Sequence, residues 1–254
     1  MRALIAIGSW ENAAYLGYNQ SQRDTFLKEL TKFPGIEHKF FFGDHNPTGE
    51  DESQLNALYD DVCVRYHGSR YDYIKPPVKF QPQEDEIVLY NLPDDHRHNS
   101  FKTKKALEWG LAQQYEHIFV CGVDTLIDIE RLVNSGFEKH HYTGTDQWNP
   151  NFAGGGPGYW LSAEAAMHVV SSPVMIPRRT FENGDLIWAE DTWVGGVMGD
   201  AGIKLHPDRR YTEWPQQPLS TNDFITSHLG VPTPEEPVYR AQRMLDCYRK
   251  RTDS

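Results

Sequence analysis

An α/β fold, with a mostly parallel central sheet flanked by helices, is predicted for this chain by three observations. Apolar runs alternate with segments of helical periodicity along the sequence. The first run, residues 3–7, is followed by Gly8-Ser9, a strand-to-helix turn. At 254 residues, with no Pro/Gly/Ser linker or break in composition, the chain suffices for one large domain with a full core.

Each element has its own signal. Residues 19–33 read as a helix with Phe26, Leu27 and Leu30 at apolar spacing, stopped by Pro34-Gly35. Residues 38–42 form the second strand and 44–49 a loop, with a short helix expected over 51–61. The stretch 63–83 holds Pro76, Pro77 and Pro82 among aromatics, which predicts an irregular excursion. A third strand over 86–90, a helix over 101–114 and a fourth strand over 117–121 complete the alternation, with Ala106, Leu107, Gly110 and Leu111 on one helical face. A helix follows Asp128 through Val133. Residues 141–144 and 158–161 read as short strands, 163–170 as a helix, and 190–200 as another that buries Val194, Val197 and Met198. One domain over 1–254 is expected, with a polar tail from 231 and a helix within it over 237–249.

A formal net charge of −11 argues against general nucleic-acid binding, which rests on clustered Lys and Arg. A local patch of Lys102, Lys104 and Lys105 stays open. Cys63, Cys121 and Cys247, odd in number and widely spaced, fit neither a disulfide framework nor a cysteine metal site and point to a reducing compartment. No segment approaches the roughly 20 apolar residues of a membrane span. Met1-Arg2 runs directly into the first strand, so a soluble cytoplasmic protein is expected.

The chemistry concentrates in four places. Residues 118–128 are an apolar strand ending in Asp124, where α/β proteins place ligands. Upstream, Asp94 through Thr103 leads into a helix. Downstream come Gly154-Gly155-Gly156-Pro157-Gly158-Tyr159-Trp160-Leu161-Ser162, then Ala189-Glu190-Asp191-Thr192-Trp193-Val194-Gly195, and last Thr226-Ser227-His228.

That order resembles the inverting β-1,3-glycosyltransferases of the Fringe and β-1,3-galactosyltransferase kind. There a D-x-Y-x-N-L-T-x-K-T segment precedes a helix, followed by a strand ending in aspartates, G-G-G-Y-x-L-S, and an acidic pair before V-x-x-G. Asp94, Lys102 and Thr103 match the first segment, with His96 and His98 in place of tyrosine and asparagine. The acidic triplet falls on Gly122-Val123-Asp124, so its last carboxylate alone is kept. Gly155, Gly156, Tyr159, Leu161 and Ser162 match the third if Pro157 and Gly158 are an insertion, and Glu190-Asp191 with Gly195 the fourth. Arg23-Asp24-Thr25-Phe26 is similar to the family's R-x-T-W, and Phe40-Phe41-Phe42-Gly43 to its strand ending in glycine.

The resemblance implies a GT-A-type fold and transfer of a sugar from a nucleotide diphosphate donor, a UDP-sugar being expected, to an acceptor hydroxyl with inversion. Asp124 and His228 would hold Mn²⁺ or Mg²⁺, which neutralises charge on the leaving phosphate. Asp128 or a water would fill the place Gly122 leaves. Asp191 would be the general base and Glu190 its substitute. Ser9, Arg23 and Lys102 are candidates around the donor, and Gly155, Gly156 and Trp148 near the sugars. The glycine run lacks the Lys-Ser/Thr of a phosphate loop; its backbone can approach a sugar with Trp148, Tyr159 or Trp160 as an apolar face, or serve as a tight turn.

Plainer readings stand beside each role. Asp124 reads equally as a strand-end or helix-capping acid, Asp191 as a first-turn acid favoured by the helix dipole, His228 as a loop histidine, and Lys102 and Arg23 as surface cations. Trp188, Trp193 and Trp214 read as core or as stacking platforms. His96, His98, His140 and His141 lack zinc-site spacing. The acceptor would be a glycan, a protein or a modified base. The alternative functions are a non-catalytic sugar- or nucleotide-binding module of this type, a transferase acting on hydroxylated DNA bases, and a nucleotide-sugar hydrolase or nucleotidyltransferase.

Overall fold

A computed structural model describes residues 1–10, 13–44, 81–94, 98–146, 150–174, 179–180, 186–187, 190–213, 224–229, 244–246 and 248. The helix expected over 51–61, nearly all of the excursion over 63–83, most of the helix over 237–249, and His96, Trp148, Trp188, Trp214, Cys63 and Cys247 lie outside these residues.

The central sheet has seven strands: β1 (Ala3–Gly8), β2 (Ile36–Asp44), β3 (Glu86–Pro93), β4 (His117–Gly122), β6 (Tyr142–Gly144), β7 (Tyr159–Ser162) and β10 (His206–Pro207), the number β5 being kept for Thr125–Ile127. Their order is β10-β6-β7-β4-β1-β2-β3. Strands β1, β2, β3 and β4 run parallel, and β7 is antiparallel to both β4 and β6. Alternate residues of β1 serve opposite faces: Ala3, Ile5 and Ile7 pack with α1 (Ala13–Asp24) and the 3₁₀ helix Phe26–Lys32, while Leu4 and Ala6 pack with α2 (Asn99–Ala112), α4 (Ala163–Ser171) and α5 (Glu190–Asp200). Burial on both faces is why these strands are apolar throughout. The five-residue α3 (Ile129–Val133) lies on the β1 side of odd residues, its Ile129 and Leu132 buried.

One element departs from expectation. The helix expected over 19–33 begins at Ala13 and gives way to 3₁₀ geometry after Asp24. The break falls at Thr25, whose backbone leaves the helical region at φ −115° and ψ −111°; its hydroxyl donates to the carbonyls of Ser21 and Gln22 at 2.6 and 3.3 Å, and its own N–H turns to Gln22 at 3.2 Å. A side chain bonded back to the preceding turn weakens and bends a helix.

A small sheet, β11 (Tyr211–Glu213), β12 (Thr226–His228) and β5, lies beside the end of β4. A two-stranded pair joins β8 (Arg179–Thr180) to β9 (Leu186–Ile187). Among the described residues no helix is long and apolar enough to cross a membrane.

Candidate active site

Strands β1 and β4 end together, with Gly8 opposite Gly122, and Asp124 follows in the turn to β5. Parallel neighbours that stop at one level leave a crevice at their carboxyl ends. The turn is held from below, because Gln22 of α1 donates to the carbonyl of Val123 at 2.6 Å. Strand β12 runs antiparallel to β5 with His228 opposite Thr125, and the N–H of Leu229 donates to the carbonyl of Asp124 at 2.8 Å. This pairing puts the imidazole of His228 on the carboxylate, Nε2 to Oδ2 at 3.0 Å, with both side chains largely buried.

The glycine turn closes the crevice. It is tied by Gly154 N–H to Thr145 at 3.2 Å and Gly158 N–H to Gly155 at 3.1 Å, and it enters β7 through Gly158 at φ +83°, a conformation that favours glycine. Thr125 Oγ1 donates to the Gly156 carbonyl at 2.7 Å. A Cβ on Gly156 would lie 2.4 Å from Nδ1 of His228, inside van der Waals contact. At the neighbouring residue the N–H of Gly155 donates to Asp191 Oδ2 at 2.8 Å, and a Cβ there would lie 3.2 Å from Glu190 Oε2. Consecutive Cα atoms are about 3.8 Å apart, so the Asp124–His228 pair and the Glu190–Asp191 pair meet across a single peptide unit.

Gly156→Ala is accordingly expected to push His228 off Asp124 while the sheet persists. Overpacking of this kind costs about 1–3 kcal/mol. A nuclear magnetic resonance spectrum in which the His228 ring signals of the variant coincide with those of the native protein would contradict the contact.

Glu190 and Asp191 open α5. Asp191 is half-buried and accepts from Gly155 N–H, from Thr192 N–H at 2.7 Å and from Thr192 Oγ1 at 3.3 Å, the acceptor-only pattern of an ionised carboxylate. Glu190 is enclosed: the Tyr159 hydroxyl donates to its Oε1 and the Thr103 side chain also hydrogen-bonds to it. Burial first, then the charge of Asp191, pushes its carboxyl up to about 8, against the opposing effect of those two hydrogen bonds. Of the two acids, Asp191 is the better placed to accept a proton at neutral pH. Tyr142 accepts from Ala153 N–H at 2.7 Å and stands edge-on to Tyr159, so β6 and β7 hold the turn from behind.

The three donor candidates each hold internal partners. Lys102 is 1 % exposed; its Nζ donates to Asp94 Oδ1 and to the Ser9 carbonyl, each at 2.7 Å, and sits 4.4 Å above the Trp10 ring. Ser9 is buried, with Oγ donating to Asn19 at 3.0 Å. Arg23 pairs with Asp85 and Glu86 at 2.8 and 2.6 Å and covers the Phe40 ring, at the start of β3 on the sheet edge. All three hold the fold together, and Arg23 and Lys102 are not the exposed cations that surface roles require.

The lysine patch does not form, because Lys102 is buried while Lys104 donates to the Ser172 carbonyl and Lys105 pairs with Glu108. Asp128 caps α3, accepting from Arg131 N–H at 3.0 Å, and is not turned to Asp124's crevice. Tyr159 and Trp160 are fully buried, Trp160 stacked on Phe137 at 3.7 Å, so neither offers a face to a sugar. Trp193 is core, donating to the Pro173 carbonyl at 3.2 Å. His98 is buried against Phe101 at the start of α2, His140 stacks on His206, and His141 contacts Ser162.

Trp10 and Gln22 escaped sequence reasoning, as did the pairing of Thr103 and Tyr159 with Glu190. Trp10 carried a signal, standing directly after the first strand. Gln22 carried none, and the motif match of Thr103 did not show its partner, since helical spacing shows a polar residue's face alone.

The protein-family models and the curated proteins compared with this chain give no match. The Asp124–His228 pair fits a metal in the chemistry of its donors, a carboxylate oxygen and an imidazole nitrogen brought face to face. Among the described residues no group of three or more His, Cys, Asp or Glu could hold a metal ion. Two protein donors suit a cation that shares its shell with phosphate oxygens and water.

Proposed function

We propose that this chain is an inverting glycosyltransferase of the GT-A type, transferring a sugar from a UDP-sugar to an acceptor hydroxyl. What supports this is the single peptide unit Gly155–Gly156, with Asp191 against one residue and His228 with Asp124 against the other, beyond the carboxyl ends of a mostly parallel sheet. Those residues come from four distant parts of the chain and are the ones the family resemblance selects. Asp191 takes the proton of the acceptor hydroxyl as that oxygen attacks the anomeric carbon opposite the departing diphosphate. Asp124 and His228 would hold a divalent cation, which would supply charge neutralisation for the leaving diphosphate. Gly155 and Gly156, without side chains, let the turn lie directly against both groups.

The acceptor is any hydroxyl-bearing partner, glycan, protein or modified base, and the acidic net charge of −11 disfavours duplex DNA. Thermal shift tests the donor half of the reading. UDP with Mn²⁺ is expected to raise the melting temperature more than UDP alone, and Asp124→Ala to erase that metal-dependent increment. An increment that survives the substitution removes Asp124 as a ligand.

A binding module without catalysis is the second reading, favoured because Gly122 stands where the family has its first acid. Binding of UDP-sugars with no turnover across a donor panel in the presence of Mn²⁺ would select it.

A further inference from the structure

Glu190 is buried, and the described residues around it are identifiable. Tyr159 of β7 and Thr103 of α2 hydrogen-bond to it, Asp191 follows it on α5, and Tyr142 of β6 stands behind Tyr159 at 5.9 Å. Helix α4 also packs on α5, with Ala165, Ala166 and Val169 buried and Glu164 and His168 exposed. No lysine, arginine or histidine among the described residues contributes to its environment. A carboxyl shut away from water and beside an ionised neighbour retains its proton even though two hydroxyls donate to it, because burial and the charge of Asp191 outweigh those hydrogen bonds.

We infer that Glu190 is a positioning residue in its protonated form, wedged between the Tyr159 hydroxyl and the Gly155 turn so that Asp191 is the one charged acid at the start of α5. The inference rests on the reading of Asp191 as base. The spacing shows how the two are linked: Glu190 Oε2 and Asp191 Oδ2 lie 3.2 and 3.3 Å from the same point above Gly155. Two negative carboxylates there would repel, and the hydrogen bond from Gly155 N–H that orients Asp191 would be strained. A neutral Glu190 removes that repulsion and ties the first turn of α5 to β7. Ionisation of Glu190 therefore lowers transfer on the alkaline side, above a pH of about 8.

The test combines two substitutions with two readouts. Glu190→Ala is expected to lower kcat by about 10²-fold through misplacement of Asp191. Glu190→Gln, neutral and able to accept from Tyr159, is expected to recover most of that loss and to flatten the alkaline fall of the native pH profile. Infrared spectra at neutral pH should show a protonated-carboxyl band that Glu190→Gln removes. A band unchanged by Glu190→Gln overturns the inference. So does a Gln variant as inactive as Asp191→Asn, since Glu190 would then be the proton acceptor itself. The infrared readout needs no acceptor substrate, so failure of the native protein to transfer any sugar would fall on the proposed function, while the band alone decides the state of Glu190.

Discussion

Asp191→Asn is expected to reduce kcat for sugar transfer by about 10²- to 10⁴-fold, the range associated with a positioned general base, while UDP affinity in the presence of Mn²⁺ stays within a few-fold. The substitution removes the proton-accepting charge and keeps the shape. It also has a structural cost that can be measured separately. Gly155 N–H approaches Oδ2 and Thr192 N–H approaches Oδ1, so either orientation of an asparagine amide sets its NH₂ against a backbone donor. A misdirected donor of this kind costs about 1–3 kcal/mol, which a melting curve registers without loss of fold. Single-turnover rates alongside a UDP titration separate the two effects. Native-like turnover by the variant would exclude Asp191 as base; loss of UDP binding in parallel with turnover would make its role one of site architecture.

Lys102→Met is expected to destabilise the protein by about 3–5 kcal/mol, because it breaks a buried ion pair from one side and takes a cation from the Asp94 carboxylate. Both side chains are 1 % exposed, and Asp94 Oδ1 also accepts from Gly43 N–H at 2.7 Å, so the pair fastens the end of β3 to β2 and to the carbonyl that closes β1. The corresponding fall in melting temperature is on the order of 10 °C for a chain of this size. Combining Lys102→Met with Asp94→Leu should restore much of the loss, since both charges of the buried pair are then replaced by apolar side chains. A single variant as stable as the native protein would show that the pair contributes nothing to the fold. Full stability with weakened UDP binding would instead return Lys102 to the donor.

The regular elements were legible because their physics is local. Unbroken apolar runs such as 118–121 announce strands covered on both faces, and the helix over 190–200 is visible from Val194, Val197 and Met198, all buried in α5. The division of the helix predicted over 19–33 was not legible, since it depends on which backbone carbonyls the Thr25 hydroxyl takes. Similarly, the pattern Asp94…Lys102-Thr103 shows that three residues matter without showing that Lys102 serves Asp94 and Thr103 serves Glu190.

By itself the amino-acid order determined the layered α/β architecture, through the periodicity of its apolar residues, and it marked Asp124, the glycine run, Glu190-Asp191 and His228 as separate places of interest. Only the tertiary structure decided that these places face one another. Strand β12 pairs beside β5, the antiparallel entry of β7 carries Gly155 and Gly156 to the carboxyl end of β4, and the start of α5 closes on them. It also decided that Arg23, Lys102 and Ser9 are spent on internal partners. The reason is that periodicity records whether a residue is covered, whereas the direction and partner of a polar group depend on strand register and chain crossing, which join residues far apart in sequence.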